Sequence, residues 1–270
     1  MLYIATVHYG SPDWIEIQTR YLREHISVPY QTWSSLQLID PSYAVHFDRI
    51  VVQGGRHSDK LNHLAMEISQ EASDGDLLMF LDGDAFPIAD PMPMILDGLA
   101  TAPLIAVRRA ENLDEKQPHP CFCVTTVGAW RELCGDWSAG YMWVDSRGRL
   151  LTDVGGNLLR KLELTKTPWV EVLRSNRKNL DPIHFAVYGD AVYHHGAGFR
   201  AAALTHAHFS YGPKRLPVPP VPMLGQVVRR VNWERQRAWK RRTTKSKARQ
   251  SQLVYSEIQR GGSEWLADFI

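Results

Sequence analysis

The chain has 270 residues, 44 % of them hydrophobic and 10 % aromatic, which is material for one large α/β domain or two small ones and excludes a disordered chain. A formal charge of +2 excludes a strong overall field, but the charge is uneven: ten Lys/Arg face a single acid, Glu234, between Arg229 and Arg249, and the remainder is net acidic. The three cysteines (Cys121, Cys123 and Cys134), the lack of a secretory signal in Met1-Leu2-Tyr3-Ile4, and the lack of an apolar run near the roughly 20 residues that span a bilayer together lead to the expectation of a reduced, cytoplasmic chain.

In chain order, Leu2 to Val7 reads as a buried strand, followed by a loop at His8-Tyr9-Gly10-Ser11-Pro12. Ser11 or Asp13 is placed to cap a helix from Trp14 to Arg23. Phe47 to Val52 predicts a second short strand, broken by Gly54-Gly55-Arg56. Ser58 or Asp59 then opens a helix whose apolar positions are Leu61, Leu64, Ala65 and Ile68. Ser73-Asp74-Gly75-Asp76 turns the chain into the run Leu77-Leu78-Met79-Phe80-Leu81, which ends in Asp82-Gly83-Asp84. Pro91-Met92-Pro93 starts a helix through Ile95 and Leu99, and Leu104 to Val107 is a further strand. Thr152 to Asn157 turns into a helix over Leu158 to Leu164. Ile183–Val187 and Ala191–His195 pair as a hairpin about Tyr188-Gly189-Asp190, and Leu216 to Pro222 reads as an extended linker. Cys-Phe-Cys with one further cysteine lacks a fourth ligand at zinc spacing, so zinc is set aside. The implied organisation is a domain over 1–215 and a linker with a basic helical segment over 216–270.

Strands alternating with helices predict an α/β protein with a mostly parallel sheet covered on both faces, in which ligands bind beyond the carboxyl ends of the strands. His8 and Tyr9, Gly54-Gly55, Asp82 and Asp84 all fall at that edge. Positions i and i+2 of a strand share a side, so Asp82 and Asp84 are placed to aim at one point, as a hard divalent cation carrying phosphate oxygens requires. The plain alternative for the tripeptide is an ordinary turn.

Taken together these residues resemble the GT-A (Rossmann-like) class of nucleotide-sugar glycosyltransferases. The resemblance rests on the first strand, the segment Gly54-Gly55 through Asn62, the stretch Leu78 to Ile88 containing Asp-x-Asp, and Tyr193-His194-His195-Gly196-Ala197-Gly198-Phe199-Arg200. It implies a mixed, mostly parallel sheet and transfer of a sugar from a UDP- or GDP-sugar to an acceptor hydroxyl on a glycan or lipid-linked glycan. It further implies a Mn²⁺ or Mg²⁺ at Asp82 and Asp84, with Asp82 also near the ribose. A late histidine completes such sites: His194 or His195, or else His208 in His208-Phe209-Ser210-Tyr211-Gly212-Pro213-Lys214. Since adjacent strand residues face opposite sides, only one of His194 and His195 is expected at the metal.

Donor contacts are expected from Thr6, His8 and Tyr9 at the end of the first strand, with Tyr9 a platform for a base, and from Lys60 and Asn62 on the following helix. Arg200 or Lys214 is a candidate phosphate clamp. Asp153 is the candidate general base, its plain alternative being a helix N-cap. The basic segment Arg229 to Arg249, with Trp233 and Trp239 interleaved, suits an anionic membrane surface or a helix packed through its tryptophans, and suits nucleic acid less. Two rivals stand beside this reading. A sugar nucleotidyltransferase wants a Gly-rich basic loop after the first strand, which His8 to Pro12 does not supply. A non-catalytic polyanion- or membrane-binding module on the same fold predicts no turnover.

Overall fold

The computed structural model describes residues 1–145, 148–179, 181, 184–196, 204, 208 and 212–270. The chain forms two compact units: residues 1–199 with 266–270, and residues 200–265. The first unit is built on a seven-stranded sheet. In chain order its elements are β1 (Leu2–Tyr9), α1 (Ile15–His25), β2 (Tyr30–Gln37), β3 (Arg49–Ile50), α2 (His57–Glu71), β4 (Leu77–Asp82), β5 (Ala85–Pro87), α3 (Met92–Leu99), β6 (Leu104–Val107), β7 (His119–Thr126), α4 (Val127–Glu132), β8 (Trp143–Val144), β9 (Leu150–Leu151), α5 (Gly156–Thr165), β10 (Val170–Val172), β11 (Ala186–Tyr188) and β12 (Val192–His194). The second unit carries one long helix, α6 (Pro222–Arg260), and a short 3₁₀ turn follows at Glu264–Asp268.

The sheet order is β10-β6-β7-β4-β1-β2-β3, and only β7 runs against its neighbours. This is a mixed, mostly parallel α/β arrangement, as the alternation of strands and helices predicts. The alternation of side chains along β4 assigns its two faces. Met79 and Leu81 pack with Leu22 of α1 and with Met92 and Ile95 of α3, while Leu78 and Phe80 pack with Leu61, Leu64 and Ile68 of α2 and Leu158 of α5. The same period governs β1: Leu2 and Ile4 face the α1 side, Ala5 and Val7 the α2 side. Thr6 and His8 therefore continue the α1 face, and Tyr9 the α2 face.

Several elements depart from the sequence reading. β2 shows no apolar run in Tyr-Gln-Thr-Trp-Ser-Ser-Leu-Gln, yet it pairs with β1 along its whole length, and Thr32 meets Asp48 through both its backbone N–H and its hydroxyl. The strand expected over 47–52 shrinks to Arg49–Ile50. β7 fills the stretch around the cysteine pair. Its register against β6 slips between Ala106 and Val107, so that Cys121 joins the core on the α1 side and Cys123 the core on the α2 side. The first helix begins at Ile15 without a side-chain cap, whereas α2 opens with Asp59 accepting from the Arg56 N–H at 2.9 Å.

β5, β11 and β12 form a small antiparallel sheet beyond the end of β4. The β11–β12 hairpin turns through Gly189 and Asp190, both left-handed at φ +56° and +54°, and the Ala191 N–H donates to the Tyr188 carbonyl at 3.1 Å across the turn. Phe269 packs on Phe185 and Tyr193 of this sheet, and its carbonyl accepts from the N–H groups of Arg177 and Lys178. No helix among the described residues is long and apolar enough to cross a membrane.

Candidate active site

β4 delivers Asp82 to the sheet edge, Gly83 and Asp84 make the turn, and β5 leaves in a new direction. β12 lies beside β5 with His194 opposite Ala85, and the His195 N–H donates to the Asp84 carbonyl at 3.0 Å. That register brings His194 Nε2 to 3.4 Å from Asp84 Oδ1 and 3.7 Å from Asp82 Oδ2. One ligand atom each from Asp82, Asp84 and His194 lie within 4.8 Å of one another, with Asp84 and His194 buried. Two carboxylates and an imidazole are a donor set for a hard or borderline divalent cation such as Mn²⁺ or Mg²⁺, so these residues fit the implied metal.

Without a metal the cluster is proton-linked. Burial works against an imidazolium at His194, but Cys121 and Asp84 outweigh it and hold the ring well above its ordinary pKa. Burial also pushes the Cys121 thiol up.

His195 faces the other way. Its Nδ1 meets the Tyr193 hydroxyl at 3.0 Å and its ring packs on Trp14, with centroids 4.5 Å apart. Burial, only partly opposed by Asp84, lowers its pKa to about 3. Of the two histidines expected as alternatives, the structure brings only His194 to the aspartates. His208 is buried and belongs to the second unit.

A buried amide braces the two carboxylates from beneath. Gln18 of α1 donates through Nε2 to the carbonyls of Asp82 and Ala85, 2.8 Å each, bracketing the Asp-Gly-Asp turn. Its Oε1 accepts from the Thr6 hydroxyl and from His8 Nε2, 3.1 Å each. Because Oε1 can only accept, His8 carries its proton on Nε2. Burial lowers the His8 pKa to about 4, against the opposing pull of Gln18 and Asp84. Thr6 and His8 were expected to touch the donor. Both are fully buried, with the Thr6 hydroxyl and His8 Nε2 on Gln18. The physical reason is the strand period, which turns even positions of β1 toward α1.

Tyr9 does reach the open edge, 47 % exposed, and the Lys60 ammonium lies over its ring at 5.1 Å. Asn62 is committed elsewhere. Its Nδ2 donates to Asp136 at 2.8 Å and its Oδ1 accepts from the Trp137 N–H at 2.8 Å, tying α2 to the loop at 136–138. Burial pushes the Asp136 carboxyl up, but hydrogen bonds from Ser138, Asn157 and Asn62 bring it down to about 2. Arg200 lies outside the described residues, and Lys214 is exposed in the second unit.

Besides Gln18, three groups escaped the sequence reading. His57, the first residue of α2, places Nε2 at 3.0 Å from Asp82 Oδ1. His119 holds its ring 5.9 Å from that of His194, tilted by 42°. Burial, with the nearby charge of Arg109 adding to it, drives the His119 pKa well below the ordinary value. Arg109 in turn is buried and bonded to Glu115 at 2.7 Å and to Asp153 at 3.3 Å. Asp153, the candidate base, is half-exposed, and its other oxygen accepts from the Val154 N–H at 2.8 Å. It is not one of the residues of the Asp82–Asp84–His194 cluster but stands at the far end of a buried line through Arg109 and His119. Gln18 carried one legible signal, a polar residue on the helix face that also carries Ile15 and Leu22 of α1.

No family model matches this chain, and no curated protein matches it. Among solved structures, the chain is similar to the mannosyltransferase PcManGT from Pyrobaculum calidifontis in complex with GDP-Man and Mn²⁺, at 15 % identity and a TM-score of 0.37 over 51 % of this chain and 47 % of that one. It is similar to the apo-form glycosyltransferase GlyE of Streptococcus pneumoniae TIGR4, at 10 % identity and a TM-score of 0.41 over 63 % and 44 %. It is also similar to S. aureus TarS, at 10 % identity and a TM-score of 0.37 over 51 % and 30 %. The similarity spans about half or less of the length of these three chains and concerns the fold.

Proposed function

We propose that this protein is a metal-dependent glycosyltransferase that moves a sugar from a UDP- or GDP-sugar to an acceptor hydroxyl on a glycan or lipid-linked glycan. The observation that carries the reading is the convergence of Asp82, Asp84 and His194 at the carboxyl edge of the sheet, where folds of this class bind ligands. Asp82, Asp84 and His194 would hold Mn²⁺ or Mg²⁺, which when bound supplies Lewis acidity against the charge of the departing nucleoside diphosphate.

The remaining roles fall to the chain itself. The exposed Tyr9 ring offers a stacking surface for the nucleotide base, with the ammonium of the buried Lys60 beside it as a nearby positive charge. Gln18 fixes the turn that aims the carboxylates. Asp153, half-exposed and anchored by Arg109, is the candidate to accept the proton of the acceptor hydroxyl in an inverting reaction. The exposed basic run from Arg229 to Arg249 supports a seat on the cytoplasmic face of an anionic membrane.

The test is release of nucleoside diphosphate from sugar nucleotides with Mn²⁺ present, comparing the wild type with Asp84→Ala. The proposal expects turnover in the first and its loss in the second, with the fold retained. Full turnover in Asp84→Ala would remove the metal assignment, and no turnover of any sugar nucleotide by the wild type would favour a binding module.

A further inference from the structure

The second unit contains a helix of 39 residues, roughly 58 Å long at about 1.5 Å per residue. Its sequence looks basic all round, but its exposed residues are ordered along the axis. At about 100° per residue, Met223, Leu224, Val227 and Val231 fall within an arc of about 100°. All four are exposed, Met223 to 81 % and Val227 to 59 %. Leu216, Val218 and Val221, in the extended segment before the helix, are exposed as well. That segment is tied back to the helix by Asn232, which accepts from the Leu216 N–H at 2.8 Å and donates to the Leu216 carbonyl at 2.9 Å.

Continued toward the C-terminus, the same arc carries Arg241, Arg242, Lys245 and Arg249, with Arg235 at its edge, and all five are exposed. The acid on this arc before Arg249 is Glu234, paired with Arg230 at 3.1 Å. One exposed face thus begins apolar and becomes cationic. A measure of amphipathicity around the axis misses this, because the two characters lie on one side of the helix and are separated along its length.

We infer that this face docks on an anionic bilayer, with Met223, Leu224, Val227 and Val231 entering the acyl boundary and the cations of the following turns lying on headgroup phosphates. Charge complementarity selects a polyanion, and the apolar residues in the same arc select a bilayer among polyanions, since a nucleic acid backbone offers them no apolar surface. The inference builds on the membrane seat proposed above and does not depend on the transferase chemistry. It adds that the apolar residues, and not the cations alone, hold the protein at the surface.

The experiment is co-sedimentation of the full chain with vesicles of phosphatidylcholine, with and without phosphatidylglycerol, at low and high salt, alongside a duplex DNA of random sequence. The wild type is expected to bind the phosphatidylglycerol vesicles more tightly than the DNA and to keep part of that binding in high salt. The variant Met223→Ser/Leu224→Ser/Val227→Ser is expected to bind at least tenfold more weakly and to lose all of its residual binding to salt. Arg241→Glu/Arg242→Glu/Lys245→Glu should lose the preference for the anionic lipid. All substituted positions are exposed, so circular dichroism and melting temperature should match the wild type. Wild-type affinity in the serine variant would overturn the inference while leaving a purely electrostatic seat. Absence of wild-type binding to anionic vesicles would overturn both, and tighter binding to DNA would replace the bilayer with nucleic acid.

Discussion

Replacing Gln18 by Leu removes four hydrogen bonds from a fully buried position at once, while leaving a side chain of similar size. At a net ~1 kcal/mol per bond the loss is on the order of 4 kcal/mol, and each stranded partner that no water reaches adds about 1–3 kcal/mol. Against a typical total stability of about 5–15 kcal/mol this is a large share. The donor half of the amide acts on the backbone at Asp82 and Ala85, so its loss also loosens the turn that aims both carboxylates. Gln18→Leu should therefore lower the urea midpoint by the equivalent of about 4 kcal/mol and weaken Mn²⁺ binding, measured by calorimetry, at least about tenfold, near 1.4 kcal/mol. Gln18→Glu keeps the acceptor for Thr6 and His8 but sets an oxygen against two carbonyls, so its Mn²⁺ affinity should fall as well. Thr6→Val removes a single bond, about 1 kcal/mol, and should leave Mn²⁺ affinity near wild type. A Gln18→Leu protein with wild-type Mn²⁺ affinity would refute the idea that this amide orients the carboxylates, whatever its effect on stability.

Further outcomes follow from the same geometry. His194→Phe should abolish Mn²⁺ binding by calorimetry, while His195→Phe should keep it and lose the hydrogen bond to the Tyr193 hydroxyl, about 1 kcal/mol. Arg109→Leu strands the buried Glu115 and should cost about 3–5 kcal/mol in urea unfolding, and adding Glu115→Leu should recover a large part of it. His8 and His195 are buried neutral with folded pKa values of about 4 and about 3, below the ordinary 6.5. The unfolded chain therefore binds more protons below pH 6.5. Their stabilisation is fully present above that pH and is lost as pH falls, by about 1.4 kcal/mol per histidine per unit down to the folded pKa. Unfolding curves between pH 7 and 4.5 should show this decline, and replacing His8 by Gln should make it shallower.

How much of this was legible in the sequence depends on how each residue is held. Leu77 to Asp84 could be read because a strand buried on both faces must be apolar, and its ending in two acids stands out. The hairpin carrying His194 could be read because two left-handed turn residues, Gly189 and Asp190, mark it. β2 was hidden because its buried positions include Thr32, Ser34 and Ser35, which resemble loop chemistry. β7 was hidden behind Pro120 and a slipped register. Thr6 and His8 lie near the end of β1 with their side chains on the α1 face against Gln18, and nothing local in the sequence says which face they take. The period did contain the answer, because Leu2 and Ile4 carry the even positions into the core shared with α1. Arg109, Glu115 and His119 come together only through the fold, across a stretch with no periodic signal.

The most direct test of the account is the melting temperature of the full chain with a panel of nucleoside diphosphates and sugar nucleotides, each with and without Mn²⁺, in the wild type and in Asp84→Asn. A ligand that binds only the folded state raises the midpoint by mass action. The account predicts a rise with one nucleotide family that requires Mn²⁺ and disappears in a folded Asp84→Asn. A rise of equal size in Asp84→Asn, or no rise with any nucleotide on well-folded wild type, would contradict it.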